Sequence, residues 1–400
     1  WLYSHSMQDR TIEPVLKELT TKYPVVTLTG PRQSGKTTLC RKVFPDKPYV
    51  NLETPDERQF AFDDPRGFLK EHHQGAILDE IQRTPDLVSY LQPMVDEDPS
   101  PGRFILTESQ QFNVREALSQ SLAGRTGLLT LLPFDWSEVR SYVDLTSVDR
   151  LILHGFYPRL HHMHINPTQA MADYFETYVQ RDIRQLMNIR HTGLFEKFVR
   201  LCAGRVGQLL NLQGLGNEVG VSHTTAREWI SLLEASYIIF QLPPWHANIS
   251  KRLVKTPKIY FWDVGLAAYL LGLEEEKQVS RDPLRGNLFE NLVIAEMFKH
   301  SYHHGHRPRL SFYRDSSGNE VDLVVERGRE LAAIEIKSGQ TVSRDYFQGL
   351  NRFAKVADDR IQGGAVVYAG DTGQRRSDWE VWPIHELERL LDRASSLFAD

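Results

Sequence analysis

The chain has 400 residues, of which 41% are hydrophobic and 25% are charged, and its formal net charge at pH 7 is −5. This length exceeds what one hydrophobic core ordinarily serves and indicates several domains, and the composition is typical of a globular protein. The negative charge excludes a protein coated in nucleic acid, and the lack of a ~20-residue apolar run excludes a membrane span. We therefore expect a cytoplasmic protein that has no membrane partner. Two cysteines, Cys40 and Cys202, provide neither a disulfide framework nor a four-cysteine metal site.

An apolar run from Val25 to Leu28 predicts a short buried strand, and a glycine-rich segment follows it directly. Residues 30–37, GPRQSGKT, fit the pattern G-x-x-x-x-G-K-[ST] at every fixed position. In this pattern, backbone N–H groups surround a phosphate, the lysine reaches the outer phosphates and the final hydroxyl holds Mg²⁺, here that of Thr37. The alternative is a plain glycine turn. The residues expected to bind the nucleotide are Gly30, Pro31, Arg32, Gln33, Ser34, Gly35, Lys36, Thr37 and Thr38.

A second motif lies farther along the chain, where the apolar residues 75–78 end in Asp79 and Glu80. This pattern predicts a strand with two carboxylates at its tip. Asp79 would bind Mg²⁺ directly or through water, and Glu80 would orient and deprotonate the attacking water. The alternative interpretation is a solvated acidic turn. Because parallel strands present ligands at their carboxyl ends, we expect Gly30, Asp79 and the tip of the strand 103–107 to converge.

A lone arginine, Arg125, lies on a glycine-containing bend in the segment 121–125, SLAGR. As an arginine finger it would neutralise the charge that develops on the γ-phosphate during hydrolysis. As a surface cation near a helix end it would have no catalytic role. If the finger acts on a neighbouring subunit, activity requires a homo-oligomer.

Together these motifs resemble a known family. The segments LTGPRQSGKTT, NLETPDERQFAFDDP, AILDEIQRTPDL, FILTESQQF and SLAGR are similar, in this order, to those of prokaryotic AAA-superfamily P-loop ATPases. Those proteins carry an uncharacterised C-terminal region with a winged helix and a PD-(D/E)xK endonuclease-like domain. The resemblance covers nearly the whole chain. It implies ATP as the ligand and the roles already given to Lys36, Thr37, Asp79 and Glu80.

The implied fold class is α/β in four domains. We expect a parallel-sheet AAA-type ATPase at 8–140, a helical lid at 141–204, a winged helix–turn–helix at 205–275 and a C-terminal restriction-endonuclease-like α/β domain at 280–400. The chain departs from the family at Glu108, where those proteins typically have glycine. A carboxylate beside the expected γ-phosphate position is unfavourable unless a cation intervenes, which favours nucleotide binding over rapid hydrolysis.

Residues 213–233 have the pattern of two short helices separated by a turn at Gly220, with Ser222 as the N-cap of the second helix. A hairpin arm is predicted to follow, and its four cations within eight positions are Lys251, Arg252, Lys255 and Lys258. Such an arm suits contact with DNA phosphates. Winged helices also dock proteins, so the sequence leaves DNA and a protein partner as alternatives.

Two alternating segments, 320–326 and 331–337, predict antiparallel strands joined by a two-residue turn at Gly328 and Arg329. This register places Asp322 directly opposite Glu335 on one face of the hairpin. Opposed carboxylates repel each other unless a cation lies between them, which predicts a Mg²⁺ site held by this pair.

Two further residues belong to the predicted carboxylate site. Lys337, two residues beyond Glu335, would steady the attacking water or the phosphate, and Glu290 from the preceding helix would complete the metal shell. These residues predict a Mg²⁺-dependent endonuclease that ATP hydrolysis controls. In the alternative, the same face binds DNA or a partner without cleavage, with Lys337 paired to Glu320, and the protein is a nucleotide-switched regulator.

Overall fold

The computed structural model of the chain describes residues 9–109, 121–183, 192–245, 255–376 and 378–398. The chain forms two compact units. The first consists of Trp1–Phe134 with Ala235–Tyr237 and Tyr302–His306, and the second consists of Asp135–Glu234, Ile238–Ser301 and Arg307–Asp400. The finer division into ATPase, lid, winged-helix and nuclease-like domains stays a prediction.

The first unit is built on a parallel sheet. In chain order its strands are β1 (Val25–Thr29), β2 (Tyr49–Asn51), β3 (Ile77–Asp79), β4 (Phe104–Glu108) and β5 (Thr126–Thr130). In space their order is β2-β3-β4-β1-β5, so β4 lies between the strand before the phosphate loop and the strand that ends in Asp79. The α-helices of this unit are α1 (Glu13–Thr20), α2 (Lys36–Val43), α3 (Pro55–Asp63), α4 (Pro65–Glu71) and α5 (Leu87–Glu97).

Strand β1 is buried on both faces. Val25 packs with Leu106 in one apolar cluster, and Val26 packs with Ile105 in the other. A strand enclosed in this way needs apolar residues at successive positions rather than at alternate ones. The continuous run in the sequence therefore predicts this strand correctly, and the sheet agrees with the expected α/β class.

The chain leaves β1 through Gly30, whose φ is +146°, a backbone conformation that L side chains rarely adopt. A Cβ atom on Gly30 would lie 2.0 Å from the carbonyl oxygen of Leu131. Glycine is therefore required here for its backbone conformation and for the close approach of the following loop.

The second unit begins with helices. They are α6 (Trp136–Val139), α7 (Val148–His154), α8 (Pro158–His162), α9 (Pro167–Tyr174), a π-helical segment (Phe175–Ile183) and α10 (Thr192–Ala203). In the described part of residues 141–204 this agrees with the expected helical pattern, and the role of these helices as a lid stays a prediction.

The predicted pair of helices is present as α11 (Leu212–Val219) and α12 (His223–Ala235). Gly220 ends α11 in a left-handed conformation, and the Ser222 hydroxyl accepts a hydrogen bond from the Thr225 amide at 3.1 Å. Strands β6 (Ile239–Leu242) and β7 (Lys258–Phe261) follow as an antiparallel pair. Two of the expected arm cations, Lys251 and Arg252, lie outside the described residues.

Lys258 corrects our interpretation of this arm. Instead of facing solvent, it is 3% exposed and forms ion pairs with Glu290 and Glu320. A charged side chain is buried only when such partners compensate it. Lys258 is therefore unavailable for contact with DNA phosphates.

The rest of the second unit contains a mixed sheet with the strand order β12-β13-β11-β10-β9-β8. Its strands are β8 (Arg309–Arg314), β9 (Glu320–Arg327), β10 (Glu330–Lys337), β11 (Ile361–Tyr368), β12 (Gln374–Arg376) and β13 (Trp379–Pro383). Its helices are α13 (Val264–Leu270), α14 (Glu276–Arg281), α15 (Arg285–His303), α16 (Gln348–Ala357) and α17 (Leu387–Ser395). Across the described parts of both units, we find no helix with the length and apolar character that a membrane crossing requires.

The close approach at Gly30 generates a stability prediction. Gly30→Ala should lower the melting temperature clearly more than Gly124→Ala, measured by differential scanning calorimetry. Gly124 also has a positive φ, +75°, but among the described residues no atom other than those of its chain neighbours lies within 4 Å of the position of its Cβ. Gly124→Ala should therefore cost only the backbone term of about 1–2 kcal/mol, whereas Gly30→Ala must also displace Leu131. Equal losses in the two variants would contradict this account.

Candidate functional site

The phosphate loop runs from Gly30 to the first turn of α2, and all nine residues predicted to bind the nucleotide lie in it. Gly35, with φ +94°, is the N-cap of the helix. Lys36 is 5% exposed, and its Nζ donates hydrogen bonds to the carbonyl oxygens of Gly30 at 2.9 Å and Pro31 at 2.8 Å. Burial lowers the pKa of Lys36. The ammonium of Lys36 thus lies against the loop, where a bound anion would compete with the two carbonyl oxygens for its hydrogen bonds.

Asp79 is the centre of a group of hydroxyl donors. The Thr37 hydroxyl donates to it at 2.9 Å, the Tyr49 hydroxyl donates to Oδ2 at 2.7 Å, and Thr107 donates to Oδ1. Asp79 is 4% exposed, so these bonds replace its hydration. The predicted ligands Thr37 and Asp79 therefore lie side by side, and the oxygen atoms of both suit Mg²⁺. Thr107 belongs to the strand tip that was expected to converge here, whereas no motif pointed to Tyr49.

Glu80 lies at the tip of β3 with a left-handed backbone, φ +61°. Its amide donates to Thr107 Oγ1 at 3.0 Å, and Ser109 Oγ donates to its Oε1 at 2.7 Å. Gln82 donates to the other carboxylate oxygen. Glu108 is fully buried at the end of β4, where it pairs with Thr29. The strand tips therefore converge as the sequence predicts, and Ser109 and Gln82 hold the expected base.

Two residues to which no role was assigned from the sequence, Arg10 and Glu53, brace the phosphate loop. Arg10, 8% exposed, donates to the carbonyl oxygens of Ser34 at 2.6 Å and Leu132 at 2.9 Å. Glu53, just after β2, accepts a hydrogen bond from Arg32 at 2.8 Å. The sequence offered no signal for Arg10, because its partners are the backbone atoms of distant residues.

Arg125 lies away from the phosphate loop. Its carbonyl accepts from the Val25 amide at the amino end of β1, whereas the loop leaves the carboxyl end of that strand, roughly 15 Å away. Its guanidinium is paired with Asp96 of α5, with Nη2 and Oδ2 3.0 Å apart. Within one chain this geometry favours the surface-cation interpretation. A role toward a neighbouring subunit stays a prediction.

The second candidate site lies on the hairpin of β9 and β10. The observed register pairs Arg327 with Glu330 across Gly328 and Arg329, and Ile334 with Leu323, so the next position sets Glu335 opposite Asp322. The predicted turn and register are therefore present.

Lys337 connects the two carboxylates. Its Nζ lies 2.6 Å from Glu335 Oε1 and 3.5 Å from Asp322 Oδ2. Although burial lowers the pKa of Lys337, the negative charges of Asp322 and Glu335 raise it above its ordinary value. The alternative pairing of Lys337 with Glu320 is wrong, because Glu320 pairs with Lys258 and Arg314.

Glu335 provides the observation that best fits a bound cation. It is 7% exposed, and among the described residues its buried Oε2 has no hydrogen-bond partner. Burial and the neighbouring charge of Asp322 raise its pKa. A buried carboxylate oxygen without a partner is costly in the free protein. The oxygen donors of Asp322 and Glu335 suit a hard divalent cation, so the residues present fit Mg²⁺.

Glu290 reaches the same cluster from α15. Arg285 on this helix donates to the Ser338 carbonyl at 2.7 Å, which ties α15 to the end of β10. Glu290 Oε1 accepts from Lys258 at 2.9 Å and from the buried hydroxyl of Tyr260. Burial raises the pKa of Glu290 despite the charge of Lys258. The structure therefore brings Glu290, Asp322, Glu335 and Lys337 together, and it adds two residues that were not predicted, Lys258 and Tyr260.

The sheet and its loop define the first unit as the domain of an AAA-type P-loop ATPase. In agreement, residues 22–140 match the family described as "AAA domain". Residues 145–277 match "Domain of unknown function (DUF8612)", and residues 285–387 match "Domain of unknown function (DUF4143)".

Similarity to whole proteins extends over both units. The chain is 33% identical over 355 residues to "Uncharacterized protein Rv2008c" of Mycobacterium tuberculosis and to "Uncharacterized protein Mb2031c" of Mycobacterium bovis, covering 87% of this chain and 77% of each relative. The chain belongs to the family of these mycobacterial proteins. Among solved structures it is similar to the Walker-type ATPase PABY2304 of Pyrococcus abyssi, with 16% identity, a TM-score of 0.45, and coverage of 67% of this chain and 97% of that chain.

The crowding of carboxylates predicts a trade-off between stability and ligand binding. In EDTA, Glu335→Gln should raise the melting temperature, by on the order of 1 kcal/mol of stability, because it removes a charge that burial and Asp322 oppose. Glu330→Gln, an exposed carboxylate on the same strand, should change nothing. Addition of Mn²⁺ should raise the melting temperature of the unaltered chain and not that of Glu335→Gln. A lower melting temperature of Glu335→Gln in EDTA would refute this reading.

Proposed function

We propose that this AAA-type ATPase hydrolyses ATP to control DNA binding and a Mg²⁺-dependent endonuclease reaction in the C-terminal part of the chain. One observation carries the second half of this proposal. Lys337 forms ion pairs with both Asp322 and Glu335, and Glu335 has a buried oxygen without a partner in the part of the chain that the structure describes. This arrangement is poorly suited to a purely structural role, because a buried unsatisfied carboxylate oxygen destabilises the fold.

In the ATPase domain, Lys36 would exchange the carbonyl oxygens of Gly30 and Pro31 for the outer phosphates of ATP. Thr37 and Asp79 would hold Mg²⁺, which neutralises phosphate charge when bound. Glu80, held by Ser109 and Gln82, would accept a proton from the attacking water. If Arg125 contributes, it would act from a neighbouring subunit of a homo-oligomer, because within its own chain it pairs with Asp96.

In the carboxylate cluster, Asp322 and Glu335 would hold Mg²⁺, which supplies Lewis-acid activation of the phosphodiester and of water. Lys337 would then turn from the carboxylates to the water or to the phosphate oxygen. Its side chain is 31% exposed, so it has room to make this movement. Water would attack phosphorus, and the bond to the leaving sugar oxygen would break.

DNA is the partner that we propose for the α11–α12 pair. Thr224, Arg227 and Ser231 are exposed on α12, and Trp229 and Ile230 are buried on its other face. An exposed face of this kind on the second helix of such a pair suits a nucleic-acid groove. Because Lys258 is buried, it is not among the arm cations that could contact DNA phosphates.

A regulator without nuclease activity is the second candidate. The observation that favours it is that Lys337 already compensates Asp322 and Glu335, so the cluster tolerates the absence of a metal. Under this alternative, ATP would select between conformations with different affinities for a partner. DNA would remain intact after incubation with Mg²⁺ and ATP.

The phosphate-loop assignment predicts a loss of nucleotide affinity. Lys36→Ala should weaken ATP binding by at least about 10-fold to 100-fold, because a charge-assisted hydrogen bond to phosphate contributes about 1.5–3 kcal/mol. Isothermal titration calorimetry would measure this loss, with Lys70→Ala, an exposed lysine of α4, as the matched control. Unchanged affinity in Lys36→Ala would remove the basis for a nucleotide site here.

The nuclease assignment predicts strand cleavage that depends on Lys337. A supercoiled plasmid should be nicked by the protein with Mg²⁺ and ATP, and Lys337→Met should slow nicking by at least about 10²-fold. Lys355→Met, an exposed lysine of α16, should nick at the original rate. Equal nicking by Lys337→Met would rule out the assigned site, and no nicking by any variant would favour the regulator.

A further inference from the structure

The carboxylate cluster contains two lysines in unlike environments. Lys258 is 3% exposed and lies between Glu290 and Glu320, whereas the side chain of Lys337 is 31% exposed and faces Asp322 and Glu335. Each lysine therefore serves one pair of carboxylates. The cluster therefore has a closed half around Lys258, which solvent barely reaches, and an open half around Lys337. In the open half another cation can replace the lysine ammonium.

Lys258 is fixed in place by its surroundings. It belongs to β7, where its backbone pairs with Leu242 of β6, and its Nζ lies 5.4 Å from the centre of the Phe312 ring. Although burial lowers its pKa, the charges of Glu290 and its neighbours raise it. Moving Lys258 out of the cluster would leave Glu290, whose side chain is 12% exposed, without its counter-charge, at a large cost, whereas Glu320 would keep Arg314.

The Lys337 half differs in its hydrogen bonding. Glu335 Oε2 is buried and has no hydrogen-bond partner among the described residues, so this half still offers an acceptor. On the closed half, Glu290 Oε1 already accepts from both Lys258 and Tyr260. Among the described residues, the buried oxygen of the cluster that lacks a partner is therefore the one that Glu335 offers beside Asp322.

The charge balance limits the number of cations. The cluster's carboxylates are those of Glu290, Glu320, Asp322 and Glu335, and Lys258 and Arg314 remain as counter-charges when Lys337 turns outward. When all four carboxylates are ionised, two negative charges are then uncompensated, which equals the charge of one divalent cation. A second divalent ion would bring excess positive charge into a buried site.

We propose that Lys258 occupies the role of a second metal ion: together with Arg314 it neutralises Glu290 and Glu320, and so restricts the cluster to one divalent cation held by Asp322 and Glu335. This inference rests on the proposed metal site, and it changes the expected role of Glu290. Glu290 would position Lys258 and Tyr260 rather than complete the metal shell. Lys258 is thus a positioning residue contributed by a strand outside the β9–β10 hairpin.

The test counts Mn²⁺ ions bound to the full chain without nucleotide, by electron paramagnetic resonance and calorimetry. The number of Mn²⁺ ions that the chain loses when Asp322 is replaced in Asp322→Asn is the number that belongs to the cluster. The unaltered chain should lose one ion, and Lys258→Met, which keeps the length of the side chain without its charge, should bind one more than the unaltered chain. Lys337→Met should still bind one cluster ion, about tenfold or more tightly, because the competing ammonium is gone.

Two cluster ions in the unaltered chain would overturn the inference, and this measurement does not depend on whether Lys258→Met folds. An unchanged ion count in folded Lys258→Met would also overturn it. Because the readout is the number of bound ions, an absence of DNA cleavage leaves the inference intact and counts only against the proposed nuclease function. If the chain cleaves DNA but binds two cluster ions, the inference about Lys258 is wrong and the proposed nuclease function stands.

Discussion

Repulsion between buried carboxylates is the constraint on which the second unit depends. Asp322 and Glu335 are 6% and 7% exposed on adjacent strands, and Glu290 and Glu320 lie close by. Such a group is stable only if cations enter it or protons neutralise it. Lysines at 258 and 337 supply that compensation. The arrangement lowers the stability of the fold, and such a loss of stability is usual at binding sites.

The phosphate loop has the opposite charge pattern, because it concentrates positive charge and hydrogen-bond donors. It gathers backbone donors and the buried ammonium of Lys36, and in the described structure Lys36 donates to carbonyl oxygens of the loop itself. Asp79 likewise receives the Thr37 hydroxyl that would ligate a metal. In both units, therefore, residues of the site satisfy one another with bonds that a ligand would replace. Such internal bonds preserve the geometry and set the free energy that the ligand must exceed.

Much of this architecture is predictable because its determinants are local. The alternation of residues and the two-residue turn at Gly328 fix the β9–β10 register, and that register alone brings Asp322 opposite Glu335. The phosphate-loop pattern likewise fixes the start of α2 at Lys36. The predicted winged-helix and endonuclease-like identities depend on more than such local patterns, and they stay predictions.

The contacts that the sequence could not reveal involve distant partners. Lys258 stands among cations in the sequence, which predicts exposure, yet Glu290 and Glu320, from other elements, make its burial possible. Arg125 has the spacing of a finger, but its contact with Asp96 becomes visible only when α5 and β5 are assembled. Tyr49 donates a hydrogen bond to Asp79, and Arg10 donates one to the Ser34 carbonyl. Both contacts arise only when the chain is folded. No periodicity encodes such contacts.

The most direct test of the account is anomalous diffraction from crystals of the protein grown with Mn²⁺ and a non-hydrolysable ATP analogue. The account predicts one manganese peak between Thr37 and Asp79 beside the phosphates, and one peak between Asp322 and Glu335 with Lys337 turned away. Lys258 should still contact Glu290. A map with manganese at the nucleotide and none beside Asp322 and Glu335 would contradict the central claim that the hairpin carboxylates form a metal site.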